Sequence, residues 1–411
     1  MNKYLKALEI RPACGGDPSR LFQVAVTVWI VFTIVVGVKA VASPVKHNSY
    51  YAFQAGAHLW WAEQDMYDGT FNEFRYGPAF AVVFSPLAQL PLPLGSLIWM
   101  WINVTAFFWS LRILVRDILP ATWTPDREAV FLLLVLVASY RGIWSAQTNT
   151  LIFATVVAGI HAIQQQRWTW AAFWLAVPVH IKIWPVAAAL LLIACWPRQL
   201  AVRWVCALSA IALWPLTTKW PGVVLARYHE WYQALSGPMQ VRHDYRDMWT
   251  LWEAVCPPVD KPAYLVLQLS TALLAAALCL WQQRRSTSQS QLMTFVLGMW
   301  TAWQLLFGPG SERATFSLIA PLTAWAVVTC TSGSRGRTLA GAAFALTVLA
   351  SIGQVERLLR PSMPIVAALH PIGVSVFAVW LVMHARHWQS VQQQPEQSER
   401  LALPAGWAPA T

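Results

Sequence analysis

The chain has 411 residues, of which 57% are hydrophobic and only 11% are Asp, Glu, Lys or Arg. A soluble domain carries about 25% charged residues, so this chain has too little polar surface to coat a soluble globule of its length. Its formal net charge of +11 does not indicate a nucleic-acid partner, because the basic residues lie in short groups between apolar runs, as they do in membrane proteins.

The N-terminal segment, residues 1–20, is polar and basic, and it precedes an apolar run long enough to cross a bilayer. This order predicts a cytoplasmic N-terminus rather than a cleaved signal peptide. The six cysteines include no C-x-x-C pair. We interpret them as small packed side chains, not as a zinc site or a disulfide framework.

A membrane-spanning helix needs about 20 apolar residues. By this criterion the sequence predicts an all-α polytopic membrane protein with about twelve spans, two of which, Trp168–Ile181 and Trp184–Trp196, are short. The others are Leu21–Ser43, Leu94–Leu111, Glu128–Ser145, Thr148–Ile163, Val202–Thr218, Pro262–Gln282, Gln291–Phe307, Thr315–Cys330, Leu339–Gly353 and Ile365–His384.

One further apolar stretch, Pro78–Leu92, is short and contains three prolines. If it does not cross, every loop predicted to be cytoplasmic is basic, as the positive-inside rule requires; if it crosses, the basic loops after it fall outside. We therefore predict a juxtamembrane helix on the outer face. The basic residues of the inside segments are Lys3, Lys6, Arg11, Arg20, Arg112, Arg116, Arg127, Arg167, Arg198, Arg203, Arg284, Arg285, Arg335, Arg337 and Arg386.

This topology predicts one transmembrane domain, residues 21–387, in the inner (plasma) membrane with both termini cytoplasmic. It has a first outer loop at 44–93 and a large outer loop at 219–261. The polar tail, 388–411, lacks an apolar period and is interpreted as disordered. The segments predicted outside are long or carry polar groups at helix ends, whereas the inside loops are short, so we expect the chemistry at the outer face.

Several of these outer polar residues allow two interpretations. Lys182 is either a lysine snorkelling at a helix end or a phosphate ligand in a polar cavity, and the Pro185 that follows favours the second. Gln147 and Asn149 either form a polar turn that caps the next helix or bind sugar hydroxyls. Glu312 follows a Gly/Pro turn and either favours a helix N-terminus or has a functional role.

The segment from His243 to Trp249 interleaves charges with aromatic rings. A charged loop is commonly a solvated surface. Aromatic rings beside carboxylates are also typical of carbohydrate sites, because a ring stacks on the apolar face of a sugar. On this second interpretation Arg246 and Asp247 are candidate sugar or acceptor ligands.

Several motifs resemble glycosyltransferase family 87, which typically shows an aromatic-Ala-Gly run, a D-x-Y and a Y-P-P-x-F before an apolar helix. The corresponding segments here are Tyr51–Gly56, Asp65–Tyr67 and Phe74–Phe80. Gln147 and Asn149 resemble the family's G-Q-x-N, and His180–Pro185 resembles its K-x-x-P. The resemblance covers most of the chain and implies a GT-C-like bundle that uses polyprenyl-phosphate sugars, often mannose, at the outer leaflet.

The chain departs from the family at two points. Asn48 stands where the family has the Asp that is its presumed general base, and Tyr76-Gly77-Pro78 replaces the double proline. The base has therefore moved, to Asp65, Asp68 or Glu63 in the same loop, or the chemistry has changed or been lost.

The predicted reaction is transfer of a sugar, mannose above all, from a polyprenyl-phosphate donor to a hydroxyl of a glycolipid or glycan acceptor. The catalytic candidates are Asp65, Asp68 and Glu312, and the candidates for the donor phosphate are Lys182, Arg141 and Arg313. The candidates for sugar or acceptor binding are Asn48, Tyr67, Tyr76, Gln147, Asn149, His180, Arg246 and Asp247. We expect no cofactor; no pattern requires a metal, although a carboxylate–metal site stays open.

Two other functions compete with this one. A secondary transporter or lipid flippase would place ionisable residues near helix midpoints, whereas the charges here lie near predicted outer ends. A non-catalytic member of the family is the other alternative, which Asn48 favours.

Overall fold

The computed structural model describes residues 10–46, 48–67, 74–236, 245–256, 260–286, 288–308, 310–330, 333–353, 358 and 364–387, and this part of the chain is predominantly helical. Its α-helices are α1 Arg20–Ala42, α2 Tyr50–Ala62, α3 Pro78–Ala88, α4 Leu92–Ile113, α5 Pro125–Trp144, α6 Asn149–Gln164, α7 Trp168–Ile181, α8 Val186–Cys195, α9 Pro197–Leu213, α10 Pro221–Ser236, α11 Met248–Val255, α12 Lys261–Arg285, α13 Gln289–Phe307, α14 Ala320–Thr329, α15 Ser334–Ser351 and α16 Leu369–His387.

Tighter or wider turns extend several of these helices. A π-helical turn, Leu114–Ile118, continues α4, and the 3-10 turn Trp214–Thr217 continues α9. The 3-10 turns Arg313–Leu318 and Pro364–Ala368 lead into α14 and α16. With these additions, each of the predicted spans falls on helical backbone.

Within the described residues, five helical stretches are long and apolar enough to cross a membrane. They are Arg20–Ala42, Leu92–Ile118, Pro197–Thr217, Lys261–Arg285 and Leu369–Arg386. The apolar helix α8 has only 10 residues, and at 1.5 Å per residue it covers about half of a hydrocarbon core roughly 30 Å thick. The number of crossings therefore remains a prediction.

Several of the long helices have a short polar side chain as their N-cap. The hydroxyl of Ser19 accepts the N–H of Phe22 before α1, and that of Thr124 accepts the N–H of Arg127 before α5. The Asp260 carboxylate accepts the N–H of Ala263 before α12. Each of these bonds satisfies an N–H group that has no partner within its own helix.

One end of the bundle, which we call the Glu128 end, is built around the fully buried carboxylate of Glu128. Glu128 accepts the backbone N–H groups of Ala13 and Cys14 at 3.0 and 3.2 Å. The Arg112 guanidinium lies 3.8 Å from the same carboxylate and donates to the Arg11 carbonyl. The segment before α1 is therefore fastened to α4 and α5 at this end.

The opposite end, which we call the Gln147 end, includes Asn48, Ser145, Gln147, Asn149 and Lys182. It begins where α5 ends: the Ser49 N–H donates to the Ser145 carbonyl at 3.0 Å. The Asn48 amide donates to Ser96 Oγ near the start of α4, also at 3.0 Å. The first loop and the start of α4 therefore meet the end of α5 here.

Both ends of α3 lie at this Gln147 end. At its N-terminal side, a Cβ on Gly77 would lie only 2.7 Å from the carbonyl oxygen of His180, the penultimate residue of α7. At its C-terminal side, the Tyr50 hydroxyl donates to the Leu87 carbonyl at 2.6 Å. Both ends of the helix therefore lie at one end of the bundle; that Pro78–Leu92 does not cross the membrane stays a prediction.

A cluster of aromatic rings holds α2, α3 and α4 together. The Phe53 ring meets the rings of Tyr76, Phe80, Phe84 and Trp99 edge-on, with centroids 4.7, 5.3, 5.4 and 5.5 Å away. Edge-to-face geometry is favourable because the positive edge of one ring faces the negative face of the next. This packing fixes the position of the Tyr76 ring, which lies next to Lys182.

Candidate functional site

A continuous chain of side-chain hydrogen bonds crosses the Gln147 end from a lysine to a carboxylate. The Lys182 ammonium donates to Asn149 Oδ1 at 3.4 Å. The Asn149 amide donates to Gln147 Oε1 at 2.7 Å, and the Gln147 amide donates to Glu312 Oε2 at 3.0 Å. We call these four residues the amide relay; it joins residues that sequence analysis assigned to three different roles.

All three hydrogen bonds of the relay run in the same direction, from the donor Lys182 to the acceptor Glu312. Because the Asn149 carbonyl oxygen faces an ammonium group, which can only donate, the Asn149 NH₂ group must point away from Lys182 toward Gln147. Gln147 in turn receives on its oxygen and donates from its nitrogen to Glu312, which as a carboxylate can only accept. The amide orientations are therefore set by the two charged ends.

The backbone directly before Gln147 is strained at Ala146. Ala146 has a φ of +49°, a left-handed conformation that costs a residue with a Cβ roughly 1–3 kcal/mol. Three hydrogen bonds hold the turn: the Ser145 carbonyl accepts from Ser49, the Ala146 carbonyl accepts from Trp99 Nε1, and the Gln147 N–H donates to Gly142. Strain of this kind persists where the surroundings over-determine the backbone, often at functional sites.

Lys182 follows the last residue of α7, where its own N–H donates to the Pro178 carbonyl. Its ammonium group lies 5.4 Å from the centre of the Tyr76 ring, within cation–π range. The Tyr76 carbonyl accepts the Tyr67 hydroxyl at 2.8 Å. The half-buried ammonium group of Lys182 thus contacts Asn149 on one side and the Tyr76 ring on the other. This setting differs from that of a lysine that extends to the lipid headgroups.

Glu312 is held by the segment that begins at Tyr245. The two residues form an isolated antiparallel bridge, and the Arg246 N–H donates to the Ser311 carbonyl at 2.8 Å. The Arg246 side chain is buried, and its guanidinium donates to the Tyr245 carbonyl. Asp247 caps α11 by accepting the Thr250 N–H at 3.1 Å, so its carboxylate has a local structural role.

Two other arginines meet at Gly353. A Cβ on that glycine would lie 3.2 Å from Arg313 Nη1 and 3.9 Å from Arg141 Nη2. The structure thus brings Arg141 and Arg313 together, and Arg313 directly follows Glu312 in the chain.

Three of the predicted site residues, two ligands and one catalytic candidate, have other partners. Asn48 accepts the Tyr50 N–H at the start of α2 and donates to Ser96, so it acts as a turn-forming cap. His180 contacts the Leu208 carbonyl of α9 at 3.0 Å through Nε2. Asp65 lies on an exposed turn and accepts the Tyr67 N–H at 2.8 Å. Asp68 lies outside the described residues.

The Asp65 turn packs against α10, where sequence analysis singled out no residue. Arg227 forms an ion pair with Glu230 and donates to the Glu63 carbonyl, and Lys219 pairs with the Glu63 carboxylate at 2.7 Å. Burial raises the pKa of Glu230; Arg227 opposes this shift, and the nearby Asp65 carboxylate adds to it. The i,i+3 spacing of Arg227 and Glu230 was the available signal for this contact.

A family model describing glycosyltransferase family 87 matches residues 74–309, more than half of the chain. The match includes Tyr76, Gln147, Asn149 and Lys182, but neither the residues before 74 nor Glu312. No curated protein matches the sequence significantly.

Among solved structures, the chain is similar to ArnT from Cupriavidus metallidurans, determined bound to undecaprenyl phosphate. The two share 13% sequence identity over 88% of this chain and 77% of that one, with a TM-score of 0.34. The family match over residues 74–309 confirms the prediction made from the motifs: this chain belongs to glycosyltransferase family 87 and is a glycosyltransferase.

Proposed function

We propose that this glycosyltransferase moves a sugar, mannose in the first instance, from a polyprenyl-phosphate donor to an acceptor hydroxyl at the outer face of the membrane. The observation that carries the proposal is the amide relay, which holds a cation and a carboxylate in one site at one end of the helical bundle. The acceptor is a glycolipid or a glycan.

The residues divide the chemistry between them. As the acceptor oxygen forms its bond to the anomeric carbon, a carboxylate takes the hydroxyl proton. The bond from that carbon to the phosphate oxygen breaks, and the lipid phosphate leaves with the electron pair. Lys182 balances the charge that develops on the departing phosphate, and Arg141 and Arg313 are further candidates for this role.

The remaining candidates surround these groups. Tyr67 and Tyr76 form an aromatic wall next to Lys182, suited to the apolar face of a sugar ring. Gln147 and Asn149 supply amide groups for sugar hydroxyls, and Arg246 and Asp247 lie in the segment paired with Glu312. Asp65, Asp68 and Glu312 are the candidate carboxylates.

The test uses purified protein in liposomes with a radiolabelled polyprenyl-phosphate mannose and a membrane lipid extract as the acceptor. We expect labelled acceptor from the wild type and none from Lys182→Ala. The control is Lys219→Ala, because that lysine pairs with Glu63 away from the relay and should leave transfer unchanged. Unchanged donor turnover in Lys182→Ala would overturn the phosphate assignment, and a wild type inactive with every polyprenyl-phosphate sugar offered would overturn the function.

A further inference from the structure

We propose that Glu312 is the general base of the transfer and that Gln147 is its positioning residue, fixed in orientation by Asn149 and Lys182. This inference rests on the proposed function and deepens it, because it selects one carboxylate among the candidates and assigns a role to the relay amides.

Three candidate carboxylates are described, Glu312, Asp65 and Glu63, and their contacts distinguish them. Glu63 pairs with Lys219. Glu312 accepts the Gln147 amide at 3.0 Å and is thereby joined to Lys182 through two intermediate residues. Asp65 instead lies on the exposed turn that packs against α10, where its partners are the Tyr67 N–H and the Glu230 carboxyl group. A base must lie within hydrogen-bond reach of the hydroxyl that attacks beside the donor phosphate, or one water away from it. Glu312 is the carboxylate linked to the phosphate candidate.

The relay also indicates which oxygen atom of Glu312 accepts the proton. Within the described part of the chain, Gln147 occupies Oε2 of Glu312, which leaves Oε1 for the acceptor hydroxyl. The proton of that hydroxyl passes to Oε1 as the acceptor oxygen bonds to the anomeric carbon. Gln147 cannot take the proton itself, because its nitrogen donates to Glu312 and its oxygen accepts from Asn149.

The surroundings keep Glu312 in place through backbone contacts. The residue pairs with Tyr245 in the isolated bridge, and its carbonyl accepts the Thr315 N–H at 2.9 Å in the turn that leads into α14. The strained turn at Ala146 fixes Gln147 on the opposite side. Backbone contacts thus fix both partners of the Gln147–Glu312 hydrogen bond, which keeps Glu312 Oε1 in a constant orientation.

The first experiment compares Glu312→Gln with Asp65→Asn in the same liposome assay. Replacing the base should lower kcat by about 100-fold or more, the usual contribution of general-base catalysis, while donor binding, followed as thermal stabilisation by polyprenyl phosphate, is kept. The matched control is Asp126→Asn, which replaces an exposed carboxylate at the start of α5, at the Glu128 end, and should keep wild-type turnover. A smaller loss in Glu312→Gln, or a loss of that size in Asp65→Asn, would overturn the inference and leave the glycosyl transfer of the wild type standing.

The second experiment tests positioning through the pH profile of Gln147→Glu. A second carboxylate next to Glu312 disfavours its ionised form, so the acidic limb of kcat/KM should move to higher pH by about one unit or more. Among the described residues, the other charged or titratable groups around Glu312 are Tyr245, Arg246 and Arg313. Arg141 from α5 adjoins Arg313, and His370 from α16 interacts with Arg246 and Arg313. All five are unchanged in this variant. Reduced activity at every pH with an unmoved limb would show that Gln147 is only structural.

Discussion

The Tyr50 hydroxyl shows how much a single polar atom contributes at the base of the first loop. The residue is fully buried, and its hydroxyl donates to the Leu87 carbonyl at 2.6 Å, joining the start of α2 to the end of α3. Burial disfavours the phenolate and raises the pKa of Tyr50 to about 12. The hydrogen bond and the buried ring both require the neutral phenol.

Tyr50 therefore makes the stability of the protein sensitive to alkaline pH. A phenol ionises near pH 10 in an unfolded chain, so its contribution is complete below about pH 10 and is lost as the pH rises toward 12. We expect thermal unfolding in detergent to show a fall in Tm across this window, and the fall to be smaller in Tyr50→Phe. Tyr51→Phe, at a half-exposed neighbouring position, is the control, and equal falls in both variants would contradict the assignment.

At the scale of elements, the packing of α2 against α4 depends on a glycine. A Cβ on Gly95 would lie 1.9 Å from the Tyr50 hydroxyl oxygen and 2.3 Å from the ring carbon that carries it. The ring therefore enters a notch on α4 that only a residue without a side chain leaves open. Because Tyr50 starts α2, this contact also sets where the whole α2–α3 pair lies.

The notch predicts opposite effects for two alanine substitutions in helices. Gly95→Ala should destabilise the protein by about 1–3 kcal/mol, since an inserted methyl group forces neighbouring atoms to shift. Gly341→Ala in α15, where a Cβ meets nothing within 4 Å, should stabilise it by roughly 0.5–1 kcal/mol, because glycine weakens a helix interior. Denaturant unfolding measures both, and a neutral Gly95→Ala would show that Tyr50 can move aside.

The helical elements differ in how well the sequence predicted them. Long apolar runs such as Arg20–Ala42 and Lys261–Arg285 were found within a few residues, because spanning length is a strong one-dimensional signal. The helices α2, α10 and α11 were not predicted, since they lie in segments interpreted as outer loops and mix aromatic with polar residues. Local helix formation there depends on packing against α3, α4 and α13, which an apolar-run criterion does not detect.

The candidate site was predictable in part for a related reason. Gln147 and Asn149 were recognised together because they are neighbours in sequence, and Lys182 stood out because a charge beside apolar runs is costly. The contact between Gln147 and Glu312 joins residues 165 positions apart, and nothing in either local motif specifies it. The caps formed by Asn48 and Asp247 were likewise ambiguous, since the same side chains bind ligands and start helices.

At the scale of the whole molecule, the two ends of the bundle hold different groups. The described residues of the Glu128 end include the basic residues Arg11 and Arg112, predicted to be cytoplasmic, whereas the amide relay lies at the Gln147 end. The positive-inside rule predicts that the Glu128 end is cytoplasmic. On this prediction the relay faces the outer side, as the proposed function requires.

Reporter fusions test this orientation. A fusion after Leu92 should report the outer side, because both ends of α3 lie at the Gln147 end, and a fusion after Gln283, before two arginines, should report the cytoplasm. Alkaline phosphatase activity and green fluorescence, respectively, measure the two locations. A cytoplasmic signal from the Leu92 fusion would show that Pro78–Ala88 crosses and that the orientation of everything after it is reversed.

The long separation between Gln147 and Glu312 has a consequence for biogenesis. A ribosome that has delivered the chain through α8 has already placed the lysine and both amides of the relay in the membrane, but the carboxylate is still unsynthesised. With Glu312 as the proposed base, the nascent protein carries the phosphate candidate Lys182 without its base until the turn before α14 has been inserted. On that proposal a half-made chain binds a lipid phosphate without transferring a sugar, and catalysis begins only when the C-terminal third of the protein has joined the bundle.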